Sequence, residues 1–258
     1  MYVSFLLNEE LGFLLFVIMK IQCFSPAMQP QLPHGFPLVS FYKGEGILRP
    51  NYPLFLPDFS SQFVAHPCLV VRIGRTGKFV KERFAHKYID GVGVGYNIYA
   101  SDLLRQKRSK GENWDGAVVF EGSAACGSFQ RMDSCSCYRL AQTCHRNQDE
   151  DCMPVVLSDS QLGFYDSLWK QHYAMRSSSD SEVSWSSVPM ARIAQCIEAF
   201  SYANVIHTGD LLFIEADLDN DKDLERRFLA IGDLFCLSCL EKEQGSENNS
   251  LQYLLRIK

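Results

Sequence analysis

A mixed, strand-dominated α+β domain is what this sequence predicts, and three observations point to it. Short apolar runs bounded by Gly, Asn, Asp and Ser fill most of the second half, as strands do. Only one stretch, Val188 to Phe200, carries a clean helical period, with Met190, Ile193, Ala194, Ile197 and Phe200 recurring at three- and four-residue steps. The chain is 258 residues long, with 47% hydrophobic and 21% charged residues, which suits a soluble domain with a substantial core.

The elements follow in order. Residues 1–18 read as an extension upstream of a domain spanning 19–258. Leu11 to Met19 is apolar, but it is too short to cross a bilayer and is preceded by Asn8-Glu9-Glu10, not by a basic segment. Met19 to Cys23 reads as a first strand, the proline-rich stretch 25–37 as irregular, and Leu38 to Tyr42 as a strand ended by Gly44 and Gly46. Cys68 to Ile73, a turn at Gly74 to Gly77 and Lys78 to Lys81 predict a β-hairpin. A short helix over Glu82 to Ile89 comes next, then the glycine-spaced Gly91-Val-Gly-Val-Gly-Tyr96. That segment lacks the strand-loop-helix setting of a dinucleotide fingerprint and reads as close backbone packing. Ser101 is placed to cap a helix over Asp102 to Lys107. Residues 130–152 read as irregular and cysteine-rich, with a strand pair at Gly163–Trp169 and Gln171–Met175 and a serine-rich loop over 176–187. After the helix come Gly209 to Ile214, a charged loop from Asp217 to Arg227, Phe228 to Leu240 and Leu251 to Ile257.

A net charge of −5 argues against nucleic acid or an anionic membrane as a general partner. The basic run Arg105 to Lys110 is a solvated helix end on that reading. Ten cysteines in a chain of this length, with no secretory leader in view, point to reduced thiols and a cytoplasmic protein.

The stretch from Pro57-Asp-Phe-Ser-Ser61 through Phe129 resembles the core of the fumarylacetoacetate hydrolase family, especially its short bacterial members. The likeness is carried by LFLPDFSS, LVVRI, KFVKERFAHKY, Ala100-Ser-Asp-Leu103 and WDGAVVFEGSAACG; it extends to Met19–Cys23 and to the Val188–Phe200 helix with His207-Thr-Gly-Asp-Leu211. It implies a β-roll of mixed sheets with peripheral helices, usually a homodimer, and metal-dependent hydrolysis, isomerisation or decarboxylation of small keto acids. Active members hold Mg²⁺ or Ca²⁺ with two Glu at i and i+2 of one strand and an Asp beyond; alternate strand residues share a face, and hard cations take oxygen ligands. Here those positions fall on His66, Cys68 and Asn97. The substrate-pocket positions fall on Ser101 and Leu104, a family lysine on Val118, and the late Thr-Gly-Thr-Pro turn on Ile214-Glu-Ala-Asp217. The early loop that carries the family's general base is shortened to Ser25–Gln29.

The resemblance therefore implies a kept fold and a lost site: a pseudoenzyme that takes a small carboxylic acid if it takes any ligand, with no metal cofactor. The alternative is an active hydrolase, isomerase or decarboxylase with an altered metal site. Zn²⁺ on His66 and Cys68 suits their donor atoms but lacks further ligands. Cys135, Cys137, Cys144, His145 and Cys152 have zinc-type donors at a spacing that matches no known finger, so packed thiols are the expectation. Cys236 and Cys239, three apart in a strand, would point to opposite faces. Gly122-Ser-Ala-Ala lacks a nucleophile elbow, and Asp217 to Asp223 lacks the Gly and closing Glu of a calcium loop. His86 and His207 are expected to be structural. Glu112, Asp115 and Glu121 are the acids expected nearest the pocket.

Overall fold

The computed structural model describes residues 19–25, 39–44, 46–48, 52–131, 137–145, 183–218, 228–240 and 251–258. Among these, two sheets carry the fold. The first has six strands: β1 (Ile21–Ser25), β2 (Val39–Tyr42), β3 (Phe63–Ile73), β4 (Ile89–Ala100), β5 (Ala124–Cys126) and β8 (Leu211–Glu215), in the order β2-β1-β8-β3-β4-β5. The second has five: β6 (Cys137–His145), β7 (Val183–Pro189), β9 (Asp217–Leu218), β10 (Leu234–Leu240) and β11 (Leu251–Arg256), in the order β11-β10-β6-β7-β9. Helices α1 (Ser101–Lys110), α2 (Asp115–Val118) and α3 (Met190–Ala203) and a 3-10 helix (Glu82–Tyr88) lie around them. Mixed sheets with peripheral helices are the α+β class expected.

The first sheet curls. Beyond β2 the chain crosses to the far edge, where Ile47 bridges Ala124 of β5 and Ala124 N–H donates to Gly46 O at 2.9 Å. The two sheet edges are thereby tied through residues 43–48, which gives the roll its shape.

Strict two-residue alternation decides what each face meets. On β3, Ala65, Leu69, Val71 and Ile73 face the second sheet and α3, while Val64, His66, Cys68 and Val70 face the other way. On β4, Val92, Val94, Tyr96, Ile98 and Ala100 take the first direction, and Gly91, Gly93, Gly95, Asn97 and Tyr99 the second. The odd glycines admit neighbouring backbone. A Cβ on Gly95 would stand 2.1 Å from Ala125 O, and one on Gly91 2.9 Å from Gln130 O. The Gly-x-Gly-x-Gly segment is thus a strand stripped of side chains on one face, as the close-packing reading expects.

Several element expectations need correction. Cys68–Lys81 is not a hairpin: β3 starts at Phe63 and pairs with β4, while Gly77 bridges Ile206. Phe79 takes φ +55°, which no strand residue adopts, so Lys78–Lys81 cannot extend a ladder. The expected serine-rich loop contains β7, and the irregular 130–152 stretch contains β6; cross-strand pairing outweighs their polar composition. Helix α1 begins at Ser101 itself, whose Oγ donates to Gln62 O at 3.0 Å, and no side chain caps it. The expected strand pair at 163–175 lies outside the described residues. Helix α3 runs Met190–Ala203, burying Ile193, Ala194, Cys196, Ile197 and Phe200. Ser201 Oγ accepts the Val80 N–H at 2.9 Å, fastening the β3–β4 connection to this helix.

Candidate functional site

The three metal-ligand positions converge. His66 and Cys68 lie two apart on β3 and share a face; His66 stands directly opposite Asn97 of β4, and Cys68 opposite Gly95 on one side and Glu215 of β8 on the other. All are buried, Cys68, Asn97 and Glu215 completely. Glu215 is the residue that reasoning from sequence missed. It sits in the Ile214-Glu-Ala-Asp217 segment, yet Ile214 packs into the core between the sheets, and the carboxylate next to it faces the site.

Glu215 is held on both oxygens. Ser25 Oγ, at the end of β1, donates to Oε2, and Asn97 Nδ2 reaches across β3 to donate to Oε1 at 2.5 Å. Asn97 Oδ1 is buried with no hydrogen-bond partner among the described residues. His66 Nε2 pairs with Tyr99 OH at 2.7 Å, with the two rings stacked. Burial holds the Cys68 thiol well above its ordinary range, Glu215 adding to the effect, and pushes the neighbouring Cys23 up to about 12. Both are therefore neutral thiols at ordinary pH, not thiolates.

The cation of this site belongs to the protein. Lys43, which follows β2 and is fully buried, sends its ammonium to Ile98 O at 2.9 Å, Val118 O at 2.5 Å and Ser123 O at 2.9 Å. Its three N–H bonds are all used, and they tie β4, α2 and the turn before β5 together. Val118, where the resemblance places a lysine, thus receives one through its carbonyl from a different strand. Burial pulls Lys43 down to about 8, with the nearby Glu215 acting the other way.

The remaining positions frame the site. Leu104 and Val118 pack with Cys23, Cys68, Val70 and Tyr99 beneath α1 and α2. Ser101 is half-buried and its hydroxyl is spent on Gln62 O. Glu112, Asp115 and Glu121 are exposed and have no part in the cluster. Cys236 and Cys239 lie on β10, three apart, and both are buried. Cys135 and Cys152 lie outside the described residues, so that cysteine group cannot be placed. His86 is exposed, and His207 Nδ1 pairs with Lys20 Nζ at 3.2 Å.

A hard divalent ion does not fit these residues. Among the described residues Glu215 is the one carboxylate that faces the centre, and each of its oxygens already accepts a hydrogen bond. No group of three His, Cys, Asp or Glu side chains suited to a metal occurs among the described residues. Nor, among the described residues, is any helix long and apolar enough to cross a membrane.

Among solved structures, the chain is similar to a Yersinia pestis CO92 protein assigned to the fumarylacetoacetate hydrolase family (16% identity, TM-score 0.62, covering 96% of each chain). It is similar also to fumarylpyruvate hydrolase from Pseudomonas aeruginosa in complex with Mn²⁺ and pyruvate (14%, TM-score 0.60, covering 99% of this chain and 95% of that one). A third is 2-hydroxyhepta-2,4-diene-1,7-dioate isomerase from Mycobacterium marinum (18%, TM-score 0.58, covering 94% and 76%). No protein-family model and no curated protein matches the sequence. At such identities the likeness establishes the fold: the chain folds as fumarylacetoacetate hydrolase-type hydrolases and isomerases do.

Proposed function

We propose that the chain is a fumarylacetoacetate hydrolase-like pseudoenzyme that has lost metal-dependent catalysis and keeps its roll as a scaffold. One observation carries this reading: Glu215, the single carboxylate among the described residues at the convergence of positions 66, 68 and 97, is bound on both oxygens by Ser25 and Asn97. A carboxylate so engaged would have to share or give up a buried hydrogen bond for a metal bond, with no second charged oxygen at this point among the described residues to repay an ion's dehydration. The Lys43 ammonium supplies a positive charge in the same interior. On this reading the protein has no resident metal, and it is a homodimer, as the family resemblance implies. Its compartment is the cytoplasm, which the free thiols, Cys23 and Cys68 among them, support.

The test is turnover of fumarylpyruvate- and oxaloacetate-type acids by the purified chain, with and without Mg²⁺, Mn²⁺ and Zn²⁺. The reading expects none above background in any arm. Metal-dependent turnover at ordinary enzyme rates, on the order of 1 s⁻¹ or more, sinks it.

A second reading has one observation in its favour. His66, hydrogen-bonded to Tyr99 OH at 2.7 Å, and Glu215 bring proton-transfer groups to one face of the sheet. Metal-independent turnover of a small keto acid, lost in Glu215→Gln, would favour this altered enzyme over the pseudoenzyme.

A further inference from the structure

The connection between β3 and β4 is fastened to α3 by its backbone, Phe79 N–H donating to Ser201 O at 3.0 Å, yet it leaves aromatic rings outside. Phe79 takes φ +55° and is the only non-glycine residue with positive φ among the described residues, a conformation disfavoured for a bulky L-residue. Its ring is 58% exposed and meets Tyr202, 62% exposed, edge-on with centroids 5.8 Å apart. Phe84, 41% exposed, follows on the 3-10 helix. Cations lie against these rings: Lys78 Nζ is 5.0 Å from the Phe79 centroid, and Arg83 Cζ and Lys87 Nζ are 4.7 and 5.3 Å from that of Phe84. Lys81 is spent on Glu198 at 2.8 Å, so the outward charge is Lys78, Arg83 and Lys87 against Glu82 alone. Exposed aromatics thus stand with a local positive charge on a chain whose net charge is −5.

We propose that this ledge docks an acidic segment of a partner protein, one in which Asp or Glu alternates with aromatic or aliphatic side chains. The acids would meet Lys78, Arg83 and Lys87, and the apolar side chains would pack against Phe79, Phe84 and Tyr202. Charge decides between classes of partner. A bilayer or a polynucleotide extends well beyond the Debye length of about 8 Å and meets the acidic remainder of the chain. A short peptide meets the ledge alone. The inference goes beyond the proposed function and holds whether or not the interior site is catalytic.

The experiment is fluorescence anisotropy of the full chain with a labelled synthetic peptide alternating Glu with Phe and Leu. Its counterpart with Lys for Glu, phosphatidylserine vesicles and a single-stranded oligonucleotide serve as the other arms. Saturable binding of the acidic peptide, weakened by salt and about tenfold weaker in Phe79→Gly and Arg83→Glu, is expected. Phe79→Gly relieves the positive φ, so its Tm should hold or rise while binding falls. The proposal is overturned by absence of saturable binding, by equal binding of the basic peptide, or by tighter binding of vesicles or oligonucleotide. Wild-type affinity in both variants overturns it too, as does a lowered Tm in Phe79→Gly, which would mark that ring as a packing residue.

Discussion

The two faces of β3 and β4 are made by the same strands at alternate positions, yet they are built on opposite terms. Toward the second sheet, Leu69, Val71, Val94, Tyr96 and Ile98 pack against Phe235, Leu237, Ile193 and Ile197, an apolar layer in which close packing is the whole design. Toward α1 and α2, the same strands bury His66, Cys68 and Asn97 with Glu215, Ser25 and Lys43, where the polar side chains depend on one another and Asn97 Oδ1 is left without a partner among the described residues. An apolar layer tolerates substitution in proportion to volume, whereas a buried polar set fails through the group left without its partner.

The largest expected effect tests the apolar face. Phe235 meets Tyr96 edge-on with centroids 6.2 Å apart and is almost fully buried. Phe235→Ala is expected to cost about 4 kcal/mol in urea unfolding, by lost transfer energy and a residual cavity. A loss under about 1 kcal/mol would mean that this layer collapses readily and is not the part of the molecule that specifies the fold.

Lys43 is next. Lys43→Met leaves three inward-facing carbonyls without their common donor and is expected to cost about 3 kcal/mol. The pH profile separates charge from packing. Folding lowers Lys43 from 10.5 to about 8, burial outweighing its neighbours. Between these values the unfolded chain holds the extra proton, so this group makes stability rise with pH from about 8. Burial raises Cys23 and Cys126 from 9.0 to about 12, so the unfolded chain loses those protons first and stability falls as pH climbs past 9. Wild-type Tm should therefore show a shallow maximum between pH 8 and 9 before the alkaline decline. Lys43→Met should lack the rising limb and keep the decline.

The two faces also differ in how far sequence exposed them. Short apolar runs bounded by turn residues made strands of Leu69–Ile73 and Leu211–Ile214 legible, and the resemblance put His66, Cys68 and Asn97 at the positions that do converge. Glu215 had a local signal, a lone acid closing the apolar run Leu211–Ile214, but the family turn drew attention to Ile214, which faces away. Lys43 had none. It follows a strand and precedes Gly44, as a solvated turn lysine would, and only the closure of the roll through Ile47 and Ala124 buries it. The predicted hairpin at Cys68–Lys81 failed for a related reason: β3 pairs across a fifteen-residue connection (74–88), and no local turn signal reports such a partner.

Asn97→Asp sharpens the question of what the polar face lacks. It sets a second carboxylate beside Glu215, in place of the amide that now donates at 2.5 Å. Two like charges in one buried site disfavour the doubly ionised form, so a loss of about 2 kcal/mol at pH 7 is expected, smaller at pH 5 where one carboxyl takes a proton. Mg²⁺ or Ca²⁺ should not restore the Tm of this variant, because His66 and Cys68 offer no oxygen. In the triple variant His66→Glu, Cys68→Glu, Asn97→Asp the same ions should raise the Tm. A triple variant indifferent to both ions would show that the roll has lost the geometry of a metal site along with its ligands.

The smallest effect asks whether His66 and Tyr99 form a working pair or a satisfied one. Tyr99→Phe keeps the ring that stacks on His66 and removes only the hydroxyl 2.7 Å from Nε2. As a structural hydrogen bond in the buried interior it should cost about 1 kcal/mol, read as a small fall in Tm with no change in slope against denaturant. A proton-relay role predicts something else: with any substrate the chain turns over, the variant would lose rate by about a hundredfold while its Tm fell by the same small amount. The pseudoenzyme reading expects only the first result, because on that reading the hydroxyl serves the histidine and no bound acid. Loss of a turnover measurable in the wild type would move the polar face from relic to site, although the apolar face behind it would be unchanged.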